Sequence, residues 1–476
     1  MAKKPKPNPK PTKWKPKTEA EKDKECETWC MKGLRPLMLL FTLMSPAIAF
    51  SSKLYDYCSR YSMSNIQVHA GIGHNLVAVM TGATDVDGMG YALATKLLDS
   101  GYSLVLGGRN STKTQNVAQL LHRHLEHLGP PSSTKQYIVT HSLRLHDLHS
   151  VRAFGRAVRE TTSTSGIHLL VDLAGELDSD YSCRNTAKDH IERLLQVNTV
   201  AHHVLIEGLL PSLRDGAMKR SARNRRNDPL VPSRIVIVVD NVRAAPSIHQ
   251  RGWQHLFSTN MQALPQCNPT TQYYTSQLLL SMYNFHLHQS IQSNPMSEGK
   301  ITTLTLDPGA TSTHFVQNSQ SHQKHNRARR SLGSRLPPVR LLKYLFSWVA
   351  VVLPTLQRDV EHSSLGLYHV ATSRLALNGN GQQGKRRTSQ TLEHWFFQDT
   401  LSSFVGCGLT KKRQVCGATD LKHVVDHGGN KLDAPAFEKM CMQVFNGIKK
   451  VAKENGKRRK QKAGTRKKRN RHRGKG

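Results

Sequence analysis

The strongest constraint on this chain is the stretch from Asn75 to Asn110, NLVAVMTGATDVDGMGYALATKLLDSGYSLVLGGRN. An apolar run enters a glycine-rich turn, a helical pattern follows, and a second apolar run ends at Arg109. The order predicts a strand, a crossover helix and a parallel strand. A turn of this kind needs glycine because a side chain would keep a bound pyrophosphate from the backbone. The helix N-terminus must also come close enough to lend its partial positive charge. The stretch therefore predicts a nucleotide-binding α/β layer and argues against an all-helical or all-β chain.

Further short apolar runs recur with helical patterns between them. They fall at Leu76–Met80, Ser103–Leu106, Tyr137–Val139, Leu169–Leu173, Ile235–Val239 and Ile301–Leu306. Continuous rather than alternating hydrophobicity is expected of strands covered on both faces. The pattern predicts a Rossmann-type, doubly wound parallel sheet with helices on both faces.

The 476 residues carry a net charge of +35, unevenly placed. Residues 1–24 hold nine Lys against three acids, and residues 449–476 hold fifteen Lys/Arg against one Glu. Such compositions predict disordered basic tails, a lead over 1–33 and a tail over 448–476. Nucleic acid or a ribosome is a candidate partner for residues 449–476 through phosphate contacts, and a nuclear or nucleolar address is the matching localisation. Between the lead and the α/β region, residues 34–50 (LRPLMLLFTLMSPAIAF) form an apolar run ending in Ala47-Ile48-Ala49. Its length is marginal for a span, and it reads as a targeting or anchor segment on an endoplasmic-reticulum or plastid route, with membrane association. The two addresses compete. A second apolar run, Leu341–Pro354, is too short to span a bilayer and would suit a pocket for a lipophilic molecule. Eight cysteines are scattered with no disulfide framework in their spacing. Cys407, Cys416, His423 and His427 lack the tight pair that a zinc site uses, so no metal is expected.

Several motifs, in order, resemble the short-chain dehydrogenase/reductase family, in particular its retinol-dehydrogenase-like and WW-domain-oxidoreductase-like branch. The glycine turn runs Thr81-Gly82-Ala83-Thr84-Asp85-Val86-Asp87-Gly88-Met89-Gly90, two residues longer than the family's turn. Leu169-Leu170-Val171-Asp172-Leu173-Ala174-Gly175 resembles the strand that ends in the family's NNAG, with Asp172 and Leu173 in place of both asparagines. Gln196-Val197-Asn198 resembles the helix bearing the family's catalytic Asn. Leu306-Asp307-Pro308-Gly309, with Thr311 and Thr313, resembles the segment along the nicotinamide. The resemblance covers residues 70–406 and leaves 407–447 unassigned.

What the resemblance implies is a nicotinamide dinucleotide held by Gly82, Gly88, Met89, Gly90, Arg109, Ala174, Gly175, Pro308, Gly309, Thr311 and Thr313. Arg109, at the end of the second strand, favours NADP(H) over NAD(H) by pairing with a 2′-phosphate. It also implies a catalytic set of Asn198, Asp240, Tyr273 and Gln277, in which Asp240 stands where the family has Ser and Gln277 where it has Lys. The implied activity is oxidoreduction of a lipophilic alcohol or carbonyl. Gln277 has no charge with which to lower the phenol pKa, and an ionised Asp240 cannot donate a hydrogen bond. The replacements thus predict an impaired site. A protonated Asp240 would restore a donor; the alternatives are a pseudoenzyme that keeps the nucleotide as sensor or scaffold, and a nucleic-acid- or ribosome-associated protein acting through its basic tails.

Overall fold

The computed structural model describes residues 67–128, 136–177, 183–223, 232–240, 252–262, 267–308, 360–372, 395–398, 418–419 and 434–473. All lie in one compact unit. The segments 1–33 and 34–50, the run Leu341–Pro354 and the residues Cys407, Cys416, His423 and His427 fall outside the described residues.

Six strands form where continuous apolar runs occur: β1 (Val77–Thr81), β2 (Ser103–Gly108), β3 (Ile138–Ser142), β4 (Leu169–Asp172), β5 (Ser233–Val238) and β6 (Ile301–Asp307). Two more, β7 (Trp395–Gln398) and β8 (Ala418–Thr419), complete a sheet of order β3-β2-β1-β4-β5-β6-β7-β8. Every pairing is parallel except the last, β7 with β8. The order reverses direction between β1 and β4, and at such a switch point a crevice opens beyond the strand ends.

The helices are α1 (Met89–Asp99), α2 (Ser111–His127), α3 (Leu148–Thr161), α4 (Ala201–Arg223), α5 (Gly252–Ser258), α6 (Pro269–Gln292), α7 (Val360–Thr372) and α8 (Ala434–Arg473). They divide between the two faces of the sheet. One apolar cluster joins Val77, Val79, Leu170, Ile235 and Ile237 to α3, α4, α6 and α8. The other joins Ala78, Met80, Leu169, Val171 and Val236 to α1, α2 and α7. Alternate residues of one strand serve opposite faces, which is why these strands are apolar throughout. α7 is also held by Arg234, whose Nη1 donates to the carbonyl of Val370 (2.9 Å). Burial lowers that guanidinium to about 10.

Two expectations are corrected. The tail expected to be disordered from 448 is helical as far as Arg473, and the domain expected to end at 406 takes in β8 and α8. The reason is an apolar stripe, Phe437, Met440, Cys441, Val444, Phe445, Ile448, Val451 and Ala452, at helical spacing and buried against the α4–α6 face. Asn455 then donates to the carbonyl of Asp189 (2.6 Å), and Arg459 pairs with Asp147 and Asp189 at 2.9 and 2.7 Å. Second, Cys183 and Cys267, 84 residues apart, form a disulfide despite the absence of a recognisable spacing.

Candidate active site

The glycine turn leaves β1 at Thr81 and enters α1 at Met89. Gly82 has φ +74°, and a Cβ there would lie 2.9 Å from the Ala174 nitrogen. A Cβ on Gly90 would lie 2.5 Å from the Gly82 carbonyl oxygen. The backbone is thus packed more closely than any side chain permits. The two extra residues are taken up by a turn in which Gly88 N–H donates to the Asp85 carbonyl (3.0 Å), leaving Val86 and Asp87 exposed. Gly88 caps α1 without a side-chain hydrogen bond of its own, and the Asp85 carboxyl carbon lies 3.7 Å from where a Cβ on Gly88 would stand. This cradle suits a pyrophosphate.

Thr81 fixes the neighbouring strand end. Its hydroxyl donates to Asp172 Oδ1 (2.6 Å) and accepts from the N–H groups of Leu173 and Ala174 (both 3.1 Å). The other oxygen of Asp172 meets His202 Nδ1 at 2.5 Å, both side chains being buried. This pair explains how an aspartate is tolerated where the family pattern has asparagine. Gly175 lies exposed beyond Ala174. Arg109 ends β2 with its side chain exposed, 3.3 Å from Glu176 Oε1. Glu176 is held from the other side by Arg193, at 2.8 and 2.7 Å. Pro308 is buried after β6, whereas Gly309, Thr311 and Thr313 lie outside the described residues.

The expected catalytic positions meet across three elements. Asn198 sits in a π-turn, Gln196–Val200, immediately before α4. One extra residue per turn is a frequent device for aiming a side chain at a site. Its Nδ2 donates to the Glu176 carbonyl (3.0 Å) and to Ser276 Oγ (3.1 Å), and its Oδ1 accepts from Glu176 N–H (2.9 Å). Asp240 follows β5. Tyr273 and Gln277 lie one turn apart on α6, whose first turn is capped by Asn268 and opens on Pro269. The Tyr273 hydroxyl donates to Asp240 Oδ2 (2.9 Å), and Gln277 Oε1 accepts from Asp240 N–H (3.2 Å).

Burial raises the Asp240 carboxyl above its ordinary value, opposed by the Tyr273 hydrogen bond. It also lifts the Tyr273 phenol well above 10, and the nearby Asp240, Tyr274 and Asp307 push in the same direction. Burial thus works against the charged form of both groups.

Sequence reasoning missed the Asp172–His202 pair, Ser276, and Glu192. Glu192 is buried and accepts from the N–H groups of Cys183, Leu194 and Leu195 and from Gln272 Nε2. It joins the segment after β4 to the π-turn and to the start of α6. The Cys183–Cys267 disulfide ties the same two regions, with Cys267 directly before the α6 cap. Among the described residues, no group of three or more His, Cys, Asp or Glu could hold a metal ion, and no helix is long and apolar enough to cross a membrane.

Residues 76–221 match the family described as short chain dehydrogenase. An uncharacterised oxidoreductase of Schizosaccharomyces pombe is 31% identical over 138 residues, 29% of this chain and 36% of its own length. Retinol dehydrogenase 14 of Mus musculus is 30% identical over 170 residues, 35% of this chain and 45% of its own length. The chain thus spans less than half the length of these curated relatives. A crystallised protein of Mycobacterium paratuberculosis is similar over 82% of this chain and 97% of its own, with 14% identity and a TM-score of 0.45. With its parallel sheet and glycine cradle, the segment 76–221 fits the short-chain dehydrogenase family, and the chain is similar to a retinol dehydrogenase over 35% of its length. Proteins of this family bind a nicotinamide dinucleotide.

Proposed function

We propose that the chain is an NADP(H)-dependent oxidoreductase acting on a lipophilic alcohol or carbonyl, impaired by Asp240 and Gln277. The observation that carries this reading is the meeting of Tyr273 with Asp240 past the end of β5, with Asn198 bonded to Ser276 of the same helix and lying beside Gly175. Bound there, the cofactor would supply or accept a hydride. Gly82, Gly88, Met89 and Gly90 would hold its pyrophosphate, with Ala174, Gly175 and Pro308 lining the crevice. Arg109 would exchange Glu176 for a 2′-phosphate, which favours NADP(H) over NAD(H). A lipophilic substrate is supported by the similarity to a protein named as a retinol dehydrogenase.

A second reading, a pseudoenzyme that binds nucleotide as a sensor, is favoured by one observation. The Tyr273 proton is engaged by Asp240 rather than directed at a substrate. Calorimetry of the full chain with NADPH and NADH, followed by a screen of apolar aldehydes, ketones and alcohols, separates the two. Binding with turnover supports the enzyme, binding without turnover supports the sensor, and no binding overturns both.

A further inference from the structure

At the end of β5 a carboxyl group and a phenol lie 2.9 Å apart, and Gln277 stands where the family pattern has a cation. We propose that Asp240 and Tyr273 form a proton relay, carboxyl to phenol to substrate oxygen, that takes the place of the family's cation: the doubly protonated pair serves carbonyl reduction and the singly ionised pair serves alcohol oxidation. The proposal rests on the oxidoreductase reading above and gives that site its proton path.

The geometry contains the argument. A phenol has one proton. While Asp240 is ionised, Tyr273 gives that proton to Oδ2, as in this structure, and has nothing to offer a substrate. When Asp240 holds a proton, the carboxylic acid donates to Tyr273 Oη, and the phenol proton is free to turn toward the crevice. Only the doubly protonated pair presents a donor outward.

The reverse reaction runs the same path backward: the phenol takes the alcohol proton as it passes its own to the carboxylate across 2.9 Å, so no free phenolate forms. A free phenolate would be costly here. Tyr273 is 2% exposed, and the other titratable groups facing it are Tyr274 on its own helix and Asp307 at the end of β6. Each raises the cost of a negative phenol. Among the described residues no cation offsets them. The Gln277 amide, accepting from the Asp240 backbone, fixes the carboxyl without charging the site.

The reaction balances. The carbonyl carbon takes a hydride from a dihydronicotinamide, which is oxidised, and the carbonyl oxygen takes the Tyr273 proton. The C=O π bond breaks, and C–H and O–H bonds form. Tyr273 recovers a proton from Asp240, and Asp240, partly open to solvent, recovers one from water. Reduction is therefore full in acid and falls as rising pH removes the first proton from the pair.

The test uses the full chain. Infrared spectra of the ligand-free protein should show the carbonyl stretch of a buried carboxylic acid, lost in alkali and absent from Asp240→Asn. With NADPH and an apolar aldehyde, reduction should fall as pH rises, and the matching NADP⁺-dependent oxidation should rise over the same range. Asp240→Asn, whose amide donates at every pH, should flatten the alkaline fall, which a merely structural side chain would not do. Gln277→Lys should move both profiles to lower pH by stabilising the ionised pair. An absent carboxylic-acid band with normal turnover would overturn the relay alone. The band present without nicotinamide binding would overturn the oxidoreductase reading and the relay with it. Profiles that rise or fall together for the two reactions, or an unchanged pH profile in Asp240→Asn, would also overturn the relay.

Discussion

The ends of β1 and β5 lie in one sheet, yet they have kept different things. At β1 the requirement is for space. Gly82 and Gly90 hold backbone where any Cβ would collide, and they remain glycine even with a turn two residues longer than the family's. At β5 the requirement is for charge and proton affinity, and there two positions differ from the family pattern. The phenol and Asn198 remain, a carboxyl stands where the family pattern has a hydroxyl, and the expected cation is missing. Space at a phosphate site tolerates no substitute, whereas proton chemistry can be rearranged around a fixed phenol. The contrast predicts a site that binds nucleotide normally and reacts abnormally.

The harshest trial of that contrast is Tyr273→Phe. If the β5 end retains proton chemistry, losing the hydroxyl should cut carbonyl reduction about 10²- to 10⁴-fold and leave NADPH affinity unchanged, by steady-state rates and calorimetry on one preparation. An equal loss of cofactor affinity would show that the two strand ends are not separable.

Phe445→Ala asks whether the contrast depends on α8, which no strand-end motif announces. Phe445 stacks on Tyr283 of α6 (5.3 Å between centroids, 11° between planes) and meets His203 edge-on at 6.3 Å. Its removal should cost about 3–5 kcal/mol in chemical denaturation. Because α8 packs behind the π-turn and α6, the rate should fall as well, with the glycine cradle unaffected.

The legibility of the sequence divides along similar lines. All six main strands could be read because burial on both faces writes continuous apolar runs such as Leu169–Val171 and Ile235–Ile237. Asn198, Asp240 and Tyr273 are singled out only through the family resemblance: Asp240 lies just past an apolar strand, and the other two lie on helical turns. The stripe from Phe437 to Ala452 has equally regular helical spacing, but the lysines and arginines that follow it dominate the composition and suggested a disordered tail from 448. No local pattern could reveal contacts whose halves are distant in the chain. Asp172 meets His202 and Cys183 meets Cys267 only once β4 and α6 are assembled.

A milder disturbance of the same helix comes from acid. His203 is buried between Tyr283 and Phe445, and its pKa is lowered to about 4, chiefly by burial and further by Lys449 and Arg152. In the unfolded chain the ring titrates near 6.5, so below that value the unfolded state binds more protons. This contribution is complete above about pH 6.5 and is lost as pH falls toward 4. It amounts to about 3 kcal/mol at most. Urea midpoints should be flat above neutrality and fall in that window, and His203→Gln should remove this part of the slope.

The gentlest probe returns to the nucleotide end. Arg109 is two-thirds exposed, and its 3.3 Å contact with Glu176 competes with the better-placed Arg193. An exposed pair of this kind contributes under about 1 kcal/mol, so Arg109→Ala should leave the denaturation midpoint nearly unchanged. If the guanidinium serves a 2′-phosphate, the same variant should bind NADPH about ten-fold more weakly and NADH as before. Equal binding of both cofactors before and after the change would mean that Arg109 only steadies Glu176. The nucleotide end would then have lost its charge recognition as the β5 end lost its lysine, and only the steric part of each site would have been kept.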